Sequence, residues 1–135
     1  MAKVKKAIIL VAGLATRFLP YSRVVPKEFF PLGDRPLIEH LVEEVYLSGL
    51  KEIIFVLNPA RRHVIEYFQE DKTLERKLRG KKFKKAIADY QRLKKFLKRL
   101  SFSYVFQEIP LGDGDAILKT ENLINREEGV AVLFC

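Results

Sequence analysis

Runs of apolar residues predict four strands along the chain. Residues 7–12 (AIILVA) are apolar throughout and β-branched in the middle, which suits a strand that is covered on both faces. Residues 130–135 (VAVLFC) have the same character, and so do residues 52–57 (EIIFVL) after Glu52. In residues 102–106 large aromatic side chains alternate with smaller ones, which is typical of a strand.

Helical periodicity fills the intervals between these strands. A pattern with one apolar face begins at Pro36, where Asp34 can cap the helix, and Gly49 is a natural stop. Three further segments predict helices: residues 60–69, residues 72–100 with a break at Gly80, and residues 114–124.

This order of elements predicts an α/β fold, a Rossmann-like and mainly parallel sheet with flanking helices. In such sheets ligands bind at the carboxyl ends of the strands. The long loop after the first strand and the loop at residues 107–115 both follow strands. The sequence therefore predicts a functional site where these two loops meet.

The composition is that of one domain with a buried core. Of the 135 residues, 48% are hydrophobic and 31% are charged. A membrane-spanning helix needs about 18–20 apolar residues, and no apolar run of the chain is that long. We therefore expect no membrane partner. A single cysteine excludes an internal disulfide, and with two histidines it does not make a zinc site. We expect a reducing, cytoplasmic location.

The net charge of +8 is concentrated in one segment. Residues 72–99 hold thirteen Lys or Arg and two Asp or Glu, a net charge of +11, whereas the rest of the chain carries −3. This basic segment is interpreted as a solvated helical face. The alternative for this segment, an electrostatic contact with nucleic acid or an acidic partner, is less favoured. Because the charge belongs to one segment, the basic composition does not indicate nucleic-acid binding by the whole protein.

The first candidate motif, AGLATR at residues 12–17, follows the first strand. Small side chains let backbone N–H groups approach an anion, and Arg17 adds a forked cation, so the motif suits a phosphate. The same residues also fit an ordinary strand-to-loop turn. They do not form a P-loop, because no Gly-Lys-Ser/Thr follows.

Two further motifs carry polar side chains at constrained positions. In VVPKEFFPL two prolines fix the path of the chain around Lys27 and so direct its side chain. The alternative is that Lys27 is an ordinary surface lysine. In QEIPLGDGDA the amide of Gln107 can donate and accept at once, which suits the edge of a base. The alternative for this motif is a strand-to-helix turn that needs glycine, and it is no Rossmann fingerprint, because Ile117 replaces the third glycine.

Together these motifs resemble the sugar-1-phosphate nucleotidyltransferase family, and within it the bacterial UTP–glucose-1-phosphate uridylyltransferases. The resemblance covers essentially the whole chain and implies the N-terminal, nucleotide-binding half of a domain with the nucleotide-diphospho-sugar transferase fold. Residues 70–100 would be a basic helical insertion. The residues that carry the resemblance read KAIILVAGLATRFLP at 6–20, VPKEFFP at 25–31, RPLI at 35–38 and QEIPLGDGDA at 107–116.

The resemblance implies transfer of a uridylyl group from UTP to glucose 1-phosphate, giving UDP-glucose and pyrophosphate. Ala15, Thr16 and Arg17 would lie on the phosphates, and Lys27 would hold phosphate charge at the reacting centre. Arg17 and Lys27 are thus the implied catalytic residues. Mg²⁺ is the implied cofactor, and homo-oligomers are compatible with a full-length form.

The resemblance also implies how the nucleoside is held. Ala12 and Gly13 would meet the uracil through backbone groups, and Glu28 would help to position the nucleoside. Gln107 and Gly112 would read the base, and their separation of five residues matches the family motif.

The chain departs from the family pattern at three places. Ala15 replaces a loop glycine, which is costly only if its φ is positive. Asp113 and Asp115 replace leucine and histidine near the nucleotide. The metal-binding aspartate of the family follows the strand matching VAVLFC, just beyond Cys135. We therefore assign no metal ligand, and expect the chain to be truncated and inactive alone.

Three other functions stay open at this point. One is a relative that uses dTTP, a thymidylyltransferase. Another is a non-catalytic nucleotide-binding or regulatory module, and the third is a nucleic-acid-binding domain built on residues 72–99. The PKE block and Gln107 favour uridylyl transfer.

Overall fold

The computed structural model describes residues 3–135, and its centre is a four-stranded parallel sheet. The described residues contain six strands: β1 (Val4–Val11), β2 (Pro31–Leu32), β3 (Arg35–Pro36), β4 (Glu52–Leu57), β5 (Ser101–Phe106) and β6 (Gly129–Phe134). The strand order in the sheet is β5-β4-β1-β6, and each neighbouring pair is parallel. The two short strands β2 and β3 form a separate antiparallel hairpin.

Five helices connect and flank these strands within the described residues. They are α1 (Leu37–Leu47), α2 (His63–Tyr67), α3 (Lys72–Lys77), α4 (Lys84–Arg99) and α5 (Asp113–Leu118). Short 3-10 turns occur in the loop after β1, before α4 and after α5. The predicted α/β fold with a mainly parallel sheet is confirmed.

Alternation along β1 divides the core between the two faces of the sheet. On one face Ile9 belongs to a hydrophobic cluster with residues of α1 and α4. On the other face Ile8 and Leu10 belong to a cluster with Ala116 of α5. Both sets are buried, because helices cover both faces of a parallel sheet. This explains why the predicted strand is apolar at every position.

Several predicted helix boundaries were wrong. Helix α1 begins as expected, but its N-cap is Pro36, and no side chain caps it; Asp34 instead pairs with Arg92, at 3.7 Å between Oδ2 and Nη1. Helix α2 is shorter than the predicted residues 60–69. The helix predicted at residues 114–124 ends at Leu118, and a separate 3-10 turn follows at Glu121–Leu123. The predicted break at Gly80 is confirmed, and this glycine has a φ of 140°.

A buried carboxylate, Glu39, ties α1 to α2 and α4. Its Oε1 accepts a hydrogen bond of 2.7 Å from Nε of Arg92, and its Oε2 accepts one of 2.5 Å from the hydroxyl of Tyr67. A buried charge needs such partners, because an unpaired one pays the full desolvation penalty. Burial, with the Glu39 carboxylate beside it, raises the pKa of Tyr67.

The basic segment of the sequence forms α3 and α4. Most of its lysine and arginine side chains are exposed, although Nζ of Lys94 pairs with Glu75 at 2.9 Å. Among the described residues, no helix has the length and apolar character needed to cross a membrane.

Candidate active site

The carboxyl ends of the four sheet strands lie at one edge, because all four strands run parallel. Beside the ends of β1 and β6 this edge contains a cleft of about 350 Å³, which we call the edge cleft. Its lining residues are Leu10, Ala12, Gly13, Lys27, Gln107, Pro110, Gly112, Asp113, Ala116, Phe134 and Cys135.

The edge cleft brings together residues that are far apart in the sequence. Five of the nine residues that the sequence predicts for the site line it: Ala12, Gly13, Lys27, Gln107 and Gly112. The other four lie outside this lining: Ala15, Thr16, Arg17 and Glu28.

Gln107 is the first residue after β5, and its backbone N–H extends the sheet by donating to the carbonyl of Leu57 at 2.9 Å. The residue is only 4% exposed. Its Nε2 donates to the carbonyl of Gly112 at 3.1 Å and to Oδ2 of Asp115 at 2.8 Å. A side-chain amide has two N–H donors, so both are used, and Oε1 remains as the acceptor.

Gly112 shapes the loop that carries these partners. Its φ of 101° lies in a region that other residues rarely adopt, and it directly precedes α5. A side chain at this position would therefore strain the backbone. Gly112 is therefore a turn residue, and it also lines the edge cleft.

The two aspartates that depart from the family pattern have different environments. Asp113 is exposed and lines the edge cleft. Asp115 is half-buried, with its Oδ2 held by Gln107 and its Oδ1 at 3.9 Å from Nζ of Lys119. Only Asp113 contributes to the lining of the cleft.

Lys27 supplies the positive charge of the edge cleft. It begins a 3-10 turn (Lys27–Phe29) directly after Pro26, whose fixed φ constrains the path of the chain. Its Nζ donates a hydrogen bond to the backbone carbonyl of Cys135, at the end of the sheet. Lys27 is partly buried and lines the cleft.

The loop after β1 carries Ala15, Thr16 and Arg17 away from the cleft lining. Ala15 has φ 53° and ψ 42°, the left-handed conformation in which the methyl group is costly. Thr16 and Arg17 are exposed in the 3-10 turn Thr16–Phe18, and Arg17 forms no ion pair with a residue in 3–135. Its guanidinium is therefore available to an anion outside the cleft.

Glu28 lies next to Lys27 but is buried, with 3% of its surface exposed. Burial raises the pKa of Glu28 above its ordinary value of 4.5, whereas its own backbone N–H and the nearby Arg61 lower it. Burial, and then the proximity of Glu28, raise the pKa of the Cys135 thiol to about 11. Cys135 is thus a protonated thiol at neutral pH rather than a nucleophile.

Two residues that sequence reasoning missed hold the loop after β1. Ser22 is 2% exposed, and its Oγ donates to the carbonyl of Ala15 at 2.9 Å. Nη2 of Arg61, in the loop after β4, lies 3.5 Å from the carbonyl of Ser22. Neither residue belongs to a motif, so only the three-dimensional contact reveals them.

Comparison with known proteins identifies the family. A sequence model described as nucleotidyl transferase matches residues 6–135. The chain belongs to the nucleotidyl transferase family.

Individual nucleotidyl transferases resemble the chain over nearly its whole length. It is 35% identical to a UTP–glucose-1-phosphate uridylyltransferase from Mycoplasma pneumoniae, over 98% of this chain and 45% of that protein. It is 37% identical to the enzyme of the same name from Bacillus subtilis, over 99% of this chain and 44% of that protein. A UTP-bound UGPase from Acinetobacter baumannii superposes with a TM-score of 0.84 at 36% identity, covering 97% of this chain and 45% of that one.

The chain thus spans less than half the length of the curated relatives it matches. The nucleotidyl transferase family generally uses a divalent metal. Among the described residues, no three His, Cys, Asp or Glu side chains are grouped so that they could hold a metal ion. In the edge cleft Asp113 is the one carboxylate of the lining, and Asp115 is held by Gln107, so the residues present do not make a metal site.

Proposed function

We propose that these 135 residues form the N-terminal, nucleotide-binding half of a nucleotidyltransferase domain, with a basic helical insertion at about residues 70–100. The reaction of the whole protein is transfer of a uridylyl group from UTP to glucose 1-phosphate. Mg²⁺ is the metal we propose for it, but no step is derived through the metal, because the described residues do not make its site.

One observation carries this proposal: Lys27 and Gln107 line the same cleft. A cation suits a phosphate, and a buried amide suits the edge of a base. A cleft of about 350 Å³ is within the range of small-molecule sites. The names of the relatives support uridylyl transfer over thymidylyl transfer or a non-catalytic module.

The base is proposed to lie between Gln107, Gly112 and the backbone of Ala12 and Gly13. Gln107 Oε1 accepts a hydrogen bond from N3–H of uracil, because both protons of Nε2 are already used within the protein. Glu28 is buried outside the cleft lining, so its proposed contribution is to hold the turn that carries Lys27.

The phosphates are proposed to run from Lys27 toward the loop that carries Ala15, Thr16 and Arg17. A phosphate oxygen of the sugar phosphate attacks the α-phosphorus of UTP in line, the new P–O bond forms, and pyrophosphate leaves with the electrons of the bond that breaks. Lys27 and Arg17 position the phosphates and neutralise their charge, which is the main protein contribution to such chemistry.

The test is calorimetric titration of the chain with UTP, uridine and inorganic triphosphate. UTP is expected to bind more tightly than either part, because the base and the phosphates contact different residues of one site. Absence of UTP binding at millimolar concentration, or equal affinity for UTP and inorganic triphosphate, contradicts the proposal.

A further inference from the structure

The Gln107 amide has a fixed orientation, and two acceptors impose it. The carbonyl of Gly112 and Oδ2 of Asp115 both lie within 3.1 Å of Nε2. Neither acceptor can donate a proton when the carboxylate is ionised. A rotated amide would therefore bring Oε1 against two oxygens, which is repulsive, so Nε2 is the atom that faces them.

The two acceptors differ in how they can be changed. The Gly112 carbonyl belongs to the backbone and is present in every variant. Asp115 is a side chain of α5, and its ionised oxygen makes the stronger of the two hydrogen bonds, since charge-assisted bonds are shorter and stronger than neutral ones. Asp115 itself does not line the edge cleft, so it acts through Gln107.

The orientation matters because uracil and cytosine differ at N3. Uracil presents an N–H there, whereas cytosine presents an acceptor. An amide that shows Oε1 to the cleft matches uracil or thymine and repels cytosine. An amide that is free to rotate can turn Nε2 toward N3 of cytosine and lose this discrimination.

We propose that Asp115 is a positioning residue for base selection, which locks the Gln107 amide with Oε1 toward the edge cleft and so favours a pyrimidine with N3–H over cytosine. This inference rests on the proposed function, because it assumes that the base lies against Gln107. It gives a role to the aspartate that departs from the histidine of the resembled family.

The test uses UTP and CTP on each protein, so that the ratio of their two dissociation constants controls for damage to the fold. Asp115→Ala removes the acceptor, Asp115→Asn replaces it by an uncharged amide that can donate as well as accept, and Asp113→Ala removes a neighbouring carboxylate that makes no bond to Gln107. Circular dichroism and thermal unfolding verify that each variant is folded.

Asp115→Ala is expected to reduce the preference for UTP over CTP roughly 5-fold, which corresponds to one hydrogen bond of ordinary strength, with CTP affinity unchanged or increased. Asp115→Asn is expected to lose part of the preference, because its uncharged amide can also turn its N–H groups toward Gln107. Asp113→Ala is expected to change both affinities by the same factor, because it alters charge alone.

An unchanged preference in Asp115→Ala overturns the inference while the proposed function stands. An equal loss of preference in Asp113→Ala also overturns it, because the negative charge near the base, and not the bond to Gln107, would then be responsible. If the unsubstituted chain binds UTP no more tightly than CTP, base reading by Gln107 is wrong, and the proposed function fails together with the inference.

Discussion

Ser22 holds Ala15 in the left-handed conformation: its Oγ donates a hydrogen bond of 2.9 Å to the Ala15 carbonyl. Ser22 is buried and lies seven residues further along the same loop, so the contact closes the loop on itself. The loop therefore keeps a geometry that suits glycine, although the sequence has alanine there.

Ala15→Gly is expected to raise the free energy of unfolding by up to about 1 kcal/mol, because it removes the steric cost of a methyl group at positive φ. Chemical denaturation with urea measures it. The matched control is Ala60→Gly, in an exposed turn where φ is not positive, which is expected to be neutral or destabilising. Equal effects of the two substitutions would show that Ala15 is not strained.

Arg17→Ala is expected to weaken UTP binding roughly 10-fold or more while uridine binding changes little, because a guanidinium engages phosphate oxygens. Titration calorimetry with both ligands measures the difference. Arg23→Ala is the matched control, since Arg23 is exposed in a 3-10 turn of the same loop. A similar loss in Arg23→Ala, or equal losses for UTP and uridine, would mean that Arg17 contributes only general positive charge.

Glu28→Gln is expected to make stability less dependent on pH. Since burial raises the pKa of Glu28, the folded state holds this proton more tightly than the unfolded chain does. The resulting stabilisation is fully present below about pH 4.5, the ordinary value, and is lost as the pH rises through the raised pKa. The free energy of unfolding of Glu28→Gln should therefore rise, relative to that of the unsubstituted protein, across this interval.

Urea denaturation at a series of pH values from about 4 to 7 measures this difference. Glu66→Gln, which removes an exposed carboxylate of α2, controls for the loss of one negative charge. A constant difference between Glu28→Gln and the unsubstituted protein across the series would show that folding does not shift the titration of Glu28.

The apolar pattern was sufficient to predict the sheet. The strand β4 has the predicted bounds, because all of its residues after Glu52 are buried between helices. Strand β1 begins earlier than predicted, at Val4, since its lysines lie at the amino end of the sheet, where Nζ of Lys6 pairs with Glu52 and Glu128 at 3.6 and 3.5 Å. The strand therefore includes two charged residues before the apolar run begins at Ala7.

Helix bounds were less predictable, because side chains in the flanking turns compete with the helix. The N–H of Ala60 donates to Oδ1 of Asn58 at 2.9 Å, which forms a turn where a helix was expected. Oγ of Thr120 donates to the carbonyl of Ile117 at 2.7 Å, just where α5 ends. Such local bonds depend on side-chain geometry that periodicity does not contain.

The candidate site was predictable as a set of loops but not as a set of contacts. The motifs placed Lys27, Gln107 and Gly112 in loops that follow strands, and the parallel topology brings them into one cleft. Sequence reasoning missed the bond from Gln107 to Asp115, because it depends on the turn at Gly112, whose φ is 101°. It also gave no sign that Glu28 would be buried outside the cleft.

The central claim is that the edge cleft reads a uracil base through Gln107, and the variant Gln107→Leu tests it most directly. Leucine keeps the size of the side chain and removes the acceptor, and the unpaired N3–H of the base then costs about 1–3 kcal/mol. Exposed Gln91, on α4 outside the edge cleft, provides the matched control Gln91→Leu, which is expected to change neither affinity.

The measurement is calorimetric titration of UTP and CTP into the unsubstituted chain and both variants. In Gln107→Leu the UTP affinity is expected to fall roughly 5- to 150-fold, which corresponds to that free-energy cost, while the CTP affinity is unchanged or higher, because the oxygen that repels N3 of cytosine is gone. If UTP and CTP weaken together, or if neither changes, Gln107 is a structural turn residue and the cleft does not read the base.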